Sequence, residues 1–273
     1  MSLPASQFID THCHLNMMVK KEFDRLLTPD ELKKGSLIAQ EAFHKGVTTI
    51  INVGTSIPES LNCISLAQSI DFCFAAIGIH PNDATPAWQT DFKELQKMLV
   101  NKEQNKIVAI GECGLDFHYP GYDKQRQYDV FKAQIELALT HERALIVHTR
   151  DAGQETLQVL EEYKKEINGV IHCFSEQLDF AQTVIDWGFV IGIGGTITYP
   201  KNEYLRSVVT TIALDKIILE TDAPFLPPQE LRGKQNSPTN IPLIAQAIAQ
   251  LRSTSIEEVS STTTASAKTL FKI

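Results

Sequence analysis

The sequence predicts an α/β fold, a single (β/α)8 barrel of the TIM type, and three observations carry that reading. Eight short apolar or β-branched runs recur along the chain, separated by stretches with helical periodicity. Such a barrel takes about 250 residues, and the chain has 273. No Gly-x-Gly-x-x-Gly follows the first run and no Gly-x-x-x-x-Gly-Lys occurs, so the nucleotide-binding forms of a doubly wound sheet lack their marks.

The first strand runs over Phe8–Thr11. It is followed by a helix over Pro29–Phe43, where Thr28 can cap and Pro29 suits the first turn because its missing N–H would have no partner there. Val47–Val53 is the second strand, and Ile57-Pro58 opens a helix over Pro58–Gln68. Strands three and four, Cys73–Ile79 and Ile107–Gly111, flank a helix over Phe92–Val100. The helix Gln125–His141 leads to strand five, Leu145–Val147, and Gln154–Tyr163 leads to strand six, Val170–His172. Gln177–Trp187 precedes strand seven, Phe189–Ile193, and a helical pattern over Glu203–Ile212 precedes strand eight, Ile217–Leu219. Two further stretches, Ile241–Leu251 and Ile256–Phe271, remain to close the barrel. No Pro/Gly/Ser-rich linker, charge block or internal repeat divides residues 1–273, which are read as one domain.

Composition narrows the function. With 43% hydrophobic and 21% charged residues the chain can bury a large core and is not a disordered polymer. Its 33 acidic against 25 basic residues leave a net charge of −8, which argues against a polybasic protein that grips nucleic acid by bulk electrostatics. Met1–Gln7 lack a basic and apolar leader pattern, and the chain has no uninterrupted apolar run of membrane-spanning length, about 18 residues. The expectation is a soluble cytoplasmic protein with no membrane contact and no obligate protein partner evident. Five cysteines, with no Cys-x-x-Cys pair, fit a reducing compartment better than a disulfide framework. Cys13, Cys113 and Cys173 each neighbour a candidate ligand in a strand, so alternation should turn them away from the ligands into the packing behind.

Histidines and isolated acids fall at strand ends. Asp10-Thr-His12-Cys-His14 ends strand one, His80-Pro81 strand three and Gly111-Glu112-Cys-Gly-Leu-Asp116 strand four. His148-Thr-Arg150-Asp151 ends strand five, His172-Cys-Phe-Ser175 strand six, and Glu220-Thr-Asp222-Ala-Pro224 strand eight. In a barrel these ends open on one rim, where catalytic residues gather from several strands. His12 and His14 are two apart, so both rings project to one side of an extended strand, as two ligands of one ion must. Together with Glu112, His148, His172 and Asp222 they make six convergent nitrogen and carboxylate donors, costly to bury without an ion.

Six donors exceed the three that a single catalytic zinc needs beside an open position, so two divalent ions are expected. Glu112 is the candidate bridge, since strand four lies between the strands of His12/His14 and those of His148/His172. Water between two such ions is acidified towards hydroxide, which predicts a hydrolase. Mg²⁺, Mn²⁺ and Zn²⁺ all suit the donor set. Two ions also place a positive centre sized for one phosphate in the mouth of an acidic protein, and a single barrel leaves little chain for a separate DNA-binding domain, so weak, end-directed engagement with a shallow salt dependence is expected.

With these motifs in view, the chain resembles the TatD-related metal-dependent hydrolases of the amidohydrolase superfamily. The resemblance runs nearly end to end through Asp10–His14, Gly78-Ile-His-Pro81, Gly111–Asp116, His148-Thr-Arg-Asp-Ala152, His172–Ser175, Gly192-Ile-Gly-Gly195 and Glu220–Pro224. It implies a barrel binding two divalent cations on His12, His14, Glu112, His148, His172 and Asp222. It also implies deoxyribonuclease activity, 3′-5′ exonuclease-like, on single-stranded DNA or strand ends. Asn236-Ser-Pro-Thr-Asn240 is similar to the family's Asn-x-Pro segment that lines the site, although a Ser/Pro-rich turn accounts for it equally. The chain departs from the family pattern at Asn16, Glu176 and Ser266, none expected to touch a ligand.

Asp222 is expected to orient or deprotonate the attacking water, with Glu220 and Asp10 as buried support for the ligands and Asp116 in a similar role. His80 is either a phosphate contact and proton donor to the leaving oxygen, or a histidine satisfied beside Pro81. Arg150 either clamps a phosphate oxygen with its planar fork or pairs with an acid such as Asp116. His118 and Tyr119 are candidate substrate contacts, whereas His44 and His141 fall in helices and read as surface or packing residues. The catalytic residues are thus Asp222, Glu112 and His80. The rival enzyme is an acyl hydrolase, a D-aminoacyl-tRNA deacylase or an amidohydrolase, and the non-enzymatic rival is a metal-dependent nucleic-acid-binding protein.

Overall fold

The computed structural model describes residues 6–273; residues 1–5, part of the opening segment considered above, lie outside the described residues. Eight parallel strands pair in chain order: β1 (Phe8–Cys13), β2 (Val47–Val53), β3 (Cys73–Ile77), β4 (Ile107–Asp116), β5 (Ala144–Arg150), β6 (Gly169–Ile171), β7 (Val190–Ile193) and β8 (Ile217–Leu219). The sheet closes where β8 meets β1. The Thr11 hydroxyl donates to the Leu219 carbonyl at 2.9 Å, the Asp222 amide to the His12 carbonyl at 2.8 Å, and the His14 amide to the Ala223 carbonyl at 2.7 Å.

Helices cover the outside: α1 (Leu15–Met18), α2 (Pro29–His44), α3 (Ile57–Ser69), α4 (Trp88–Leu99), α5 (Lys124–His141), α6 (Gly153–Glu161), α7 (Leu178–Asp186), α8 (Glu203–Thr211), α9 (Ile241–Arg252) and α10 (Ile256–Phe271). Thr28 caps α2 reciprocally with Glu31, and Ser56 caps α3 by accepting from the Glu59 amide. No helix among the described residues is long and apolar enough to cross a membrane.

Strand alternation divides the core in two. Ile9, Ile51, Ala109, Ile146 and Ile218 form one apolar cluster with Leu270 and Phe271 of α10, which seals one end of the barrel. The other strand faces pack on the helices in a larger cluster that includes Ile50, Ile110, Val147 and Leu219. Burying each large side chain contributes about 1.5–3 kcal/mol. The inward face of β5 that begins with Ile146 continues through His148 and Arg150, and the face of Ile218 continues through Glu220 and Asp222, so packing in the barrel aims polar side chains at its open rim.

The structure departs from the expected boundaries where backbone geometry breaks a local pattern. β4 runs on to Asp116, past the Gly111 at which the strand was expected to end. Gly111 and Gly114 have φ of +147° and +143°, and the pairing of β4 with β5 shifts register between Ile110 and Cys113. A bulge carries the strand through, and the glycines permit it. A Cβ at Gly111 would stand 2.5 Å from the Ile146 carbonyl oxygen, and one at Gly114 would enter the His148 backbone. β1 stops at Cys13, and His14 precedes the unexpected short α1.

Candidate metal centre at the barrel rim

The six expected donors converge around Glu112, whose two carboxylate oxygens face opposite ways. Its Oε2 lies 3.4 Å from His12 Nε2 and 3.8 Å from His14 Nε2. Its Oε1 lies 2.8 Å from His148 Nδ1, 2.9 Å from His172 Nε2 and 3.6 Å from His80 Nε2. Asp222 completes the first side, with Oδ1 3.4 Å from His14 Nε2 and 3.8 Å from His12 Nε2. The His12 and His14 Nε2 atoms are 3.2 Å apart.

These spacings fit coordination. Ligands about 2.1 Å from an ion in tetrahedral array stand about 3.4 Å from one another. Five ring nitrogens around Glu112 also exceed the about four lone-pair directions that a carboxylate offers. Two groups of side chains whose donor atoms could hold an ion are His12/His14/Asp222 and His12/Glu112/His172.

At His14 and His148 the outer nitrogens fix ring orientation. His14 Nδ1 donates to the Val53 carbonyl at 2.7 Å, leaving the Nε2 lone pair aimed inward. His148 Nε2 faces Asp116 Oδ2 at 3.2 Å while Nδ1 faces Glu112. His172 Nδ1 points towards Glu220 Oε1 at 3.6 Å, and Glu220 accepts from the Cys173 amide at 2.5 Å. Asp10, beneath His12, accepts from the Thr221 amide and hydroxyl at 3.0 and 2.6 Å. Asp10 and Glu220 therefore sit where buried support was expected. Burial pushes the Asp10 carboxyl up to about 8 against these hydrogen bonds. Burial would also raise the Glu112 carboxyl, but His172 and His80, with hydrogen bonds from His12 and His148, hold it well below the usual carboxylate range.

Two ligand-bearing turns use left-handed backbone, at Cys173 (φ +46°) and Asp222 (φ +55°), an uncommon conformation for side-chain-bearing residues that clusters at functional sites. The turn at Cys173 corrects one expectation: β6 has ended at Ile171, strict alternation no longer holds, and Cys173 is half-buried in the wall of the site cavity. Cys13 and Cys113 are buried in the packing behind their strands as expected.

His80 accepts from the Asn82 amide through Nδ1 at 3.1 Å, so its proton sits on Nε2, pointing into the site. Burial, then the neighbouring His148, holds its pKa down to about 3, so it is a neutral donor near pH 7. Arg150 does not pair with Asp116, whose carboxylate is taken by His148, the His118 amide and Asn82. Its guanidinium instead lies 5.2 Å from the Tyr119 ring centroid and donates to the Tyr119 hydroxyl at 3.3 Å. Both side chains line a cavity of about 630 Å³ that opens above Glu112. His118 pairs at the surface with Asp151.

Asp116, expected as support for the ligands, also forms a third cluster with His80 and His148. Asn236 is buried outside the cavity and donates to the Thr221 and Phe225 carbonyls at 2.7 Å each, a buttress behind the site. Asn16 donates to Glu59, Ser266 to the Asp215 carbonyl, and Glu176 packs over Gly153, so none of the three departures reaches the donors.

Comparison with known proteins agrees with this geometry. The family model described as TatD related DNase matches residues 9–272. A Bacillus subtilis protein named uncharacterized metal-dependent hydrolase YabD is 34% identical over 265 residues, covering 97% of this chain and 98% of that protein. The Escherichia coli protein named 3′-5′ ssDNA/RNA exonuclease TatD is 34% identical over 238 residues, covering 85% of this chain and 90% of that protein. The crystal structure of YjjV, a TatD homologue from Escherichia coli, superposes with a TM-score of 0.87 at 29% identity, covering 97% of this chain and 98% of that one. Such likeness along the whole barrel, with donors gathered on its rim, makes the chain a member of the TatD-related family of metal-dependent hydrolases.

Proposed function

We propose that this protein is a two-metal phosphodiesterase that cleaves single-stranded DNA from a strand end. The observation that carries the reading is the split of Glu112, with Oε2 towards His12 and His14, which Asp222 also faces, and Oε1 towards His148 and His172. In this reading His12, His14 and Asp222 would hold one divalent ion and His148 and His172 the other, with Glu112 available to both. Bound ions of this kind acidify water and neutralise charge on a phosphate. Asp222, partly open to the cavity, orients the attacking water by accepting its hydrogen bond. His80 contacts a phosphate oxygen through Nε2–H, the role that suits a neutral imidazole. Arg150, held by Tyr119, supplies a fork for a neighbouring phosphate. The exonuclease name of the Escherichia coli relative supports the substrate class, and five free cysteines support a reducing, cytoplasmic setting.

The test is cleavage of end-labelled single-stranded DNA with Mg²⁺, Mn²⁺ or Zn²⁺, beside a His12→Ala/His14→Ala variant, with acyl esters including a D-aminoacyl-tRNA as the control class. Progressive shortening by the wild type alone is expected. No cleavage with any ion, equal cleavage by the variant, or turnover confined to acyl esters would overturn the reading.

A further inference from the structure

We propose that Phe225 and Phe23 form a stacking wall for an unpaired nucleobase beside the scissile phosphate, a specificity subsite that rests on the phosphodiesterase reading. Both rings line the site cavity, yet Phe225 is 46% and Phe23 52% exposed. Large apolar side chains left open to water in the mouth of a polar site mark a binding surface. The Phe225 ring stands edge-on to the His14 ring with centroids 6.1 Å apart, so a group one sugar away from a phosphate over the donors falls within its reach.

Neither ring is on a slack loop. The Phe225 amide donates to the Asp222 carbonyl at 2.8 Å, and its carbonyl receives the buried Asn236 side chain. Phe23 is followed by Asp24, whose amide donates to buried Glu59 at 2.8 Å, and by Arg25, whose carbonyl accepts from Asn62 and Lys20. Phe23 leads from β1 and Phe225 from β8, which are neighbours in the barrel, whereas Tyr119 and Arg150 follow β4 and β5 on the far side. The cavity therefore has the two exposed phenylalanine rings on one side and Arg150, resting on Tyr119, on the other. That pairing suits one nucleotide unit, a flat ring with an apolar face joined to a flanking phosphate. Aromatic stacking tolerates any base, and a base still paired and stacked in a duplex cannot swing onto the rings, so the wall favours unpaired ends.

The test is a cycle of protein and substrate changes. Wild type, Phe225→Ala and Phe225→Trp are assayed with each metal on oligonucleotides that carry a terminal base or a base-free sugar at that position, and Phe23→Ala is run in parallel. Stacking predicts that Phe225→Ala raises KM for the base-bearing strand about 10- to 100-fold, that kcat moves far less, and that Phe225→Trp restores binding. Removing ring and base together should cost no more than removing either. Equal losses on both substrates, or no loss on the base-bearing strand, would overturn the wall while leaving the phosphodiesterase reading in place. Absence of cleavage by the wild type on any oligonucleotide would overturn both.

Discussion

The Lys20 ammonium lies 2.7 Å from both carboxylate oxygens of Glu59, and the pair is buried between α3 and the segment that joins α1 to α2. Asn16, Asn62 and the Asp24 amide donate to the same carboxylate. An ion pair removed from water is held by these added bonds, and breaking one partner strands a buried charge. Glu59→Gln should therefore lower stability by about 3–5 kcal/mol, and Lys20→Met in the same chain should recover part of the loss. Burial would raise the Glu59 carboxyl, but Lys20 and the other donors hold it below its ordinary value of 4.5. A depressed carboxyl contributes stability above its unfolded pKa and loses it as pH falls through the folded one. The gap in melting temperature between wild type and Glu59→Gln should be full at neutral pH and narrow as pH falls below the ordinary value of 4.5 and through the depressed folded one. A gap that persists unchanged in acid would place the effect in packing instead.

On the two-ion reading proposed above, Glu112→Gln should leave the protein holding a single ion or none. Elemental analysis and anomalous scattering on protein purified without chelators should find two ions about 3.5–4 Å apart in the wild type. Chelation should lower the melting temperature, since an ion that binds only the folded state stabilises it. One ion in the wild type would remove the bridging role of Glu112.

Asp116→Asn should weaken ion affinity or activity about 10- to 100-fold without unfolding the protein. Its carboxylate holds His148 by the nitrogen opposite the one aimed at Glu112, and an amide can turn its NH2 to that nitrogen and favour the wrong tautomer. Metal titration by competition with a chelating dye is the measurement. Unchanged affinity and activity would reduce Asp116 to a partner of Asn82 and His118.

Gly114→Ala should disrupt the site through the backbone. The added Cβ would meet the His148 carbonyl, at a φ of +143° that side-chain-bearing residues rarely adopt. Strain of this type costs on the order of 1–3 kcal/mol, and relief requires β4 to move from β5, separating Glu112 from His148. Loss of both melting temperature and bound metal is expected, and a variant with normal metal content would show that the bulge tolerates the change.

Much of the candidate site was legible because strand position is a local property. His12 and His14 share a side by their spacing of two, and Glu112, His148, His172 and Asp222 reach the same rim because parallel strands all end there. Cys173 and the length of β4 were not legible for the complementary reason. A left-handed residue or a glycine bulge resets the alternation, and nothing in residue type separates Gly111 as a strand terminator from Gly111 as a bulge.

By itself the sequence determined the barrel, the order of its strands and which candidate donors share its rim, all of which follow from short-range periodicity and residue chemistry. Only the tertiary structure decided which oxygen of Glu112 faces which histidines, that Arg150 rests on Tyr119 instead of Asp116, and that Phe23 is held at the cavity by Lys20 and Glu59. Those relations join side chains from different strands and loops, and their geometry is set where bulges, turns and buried charges settle against one another.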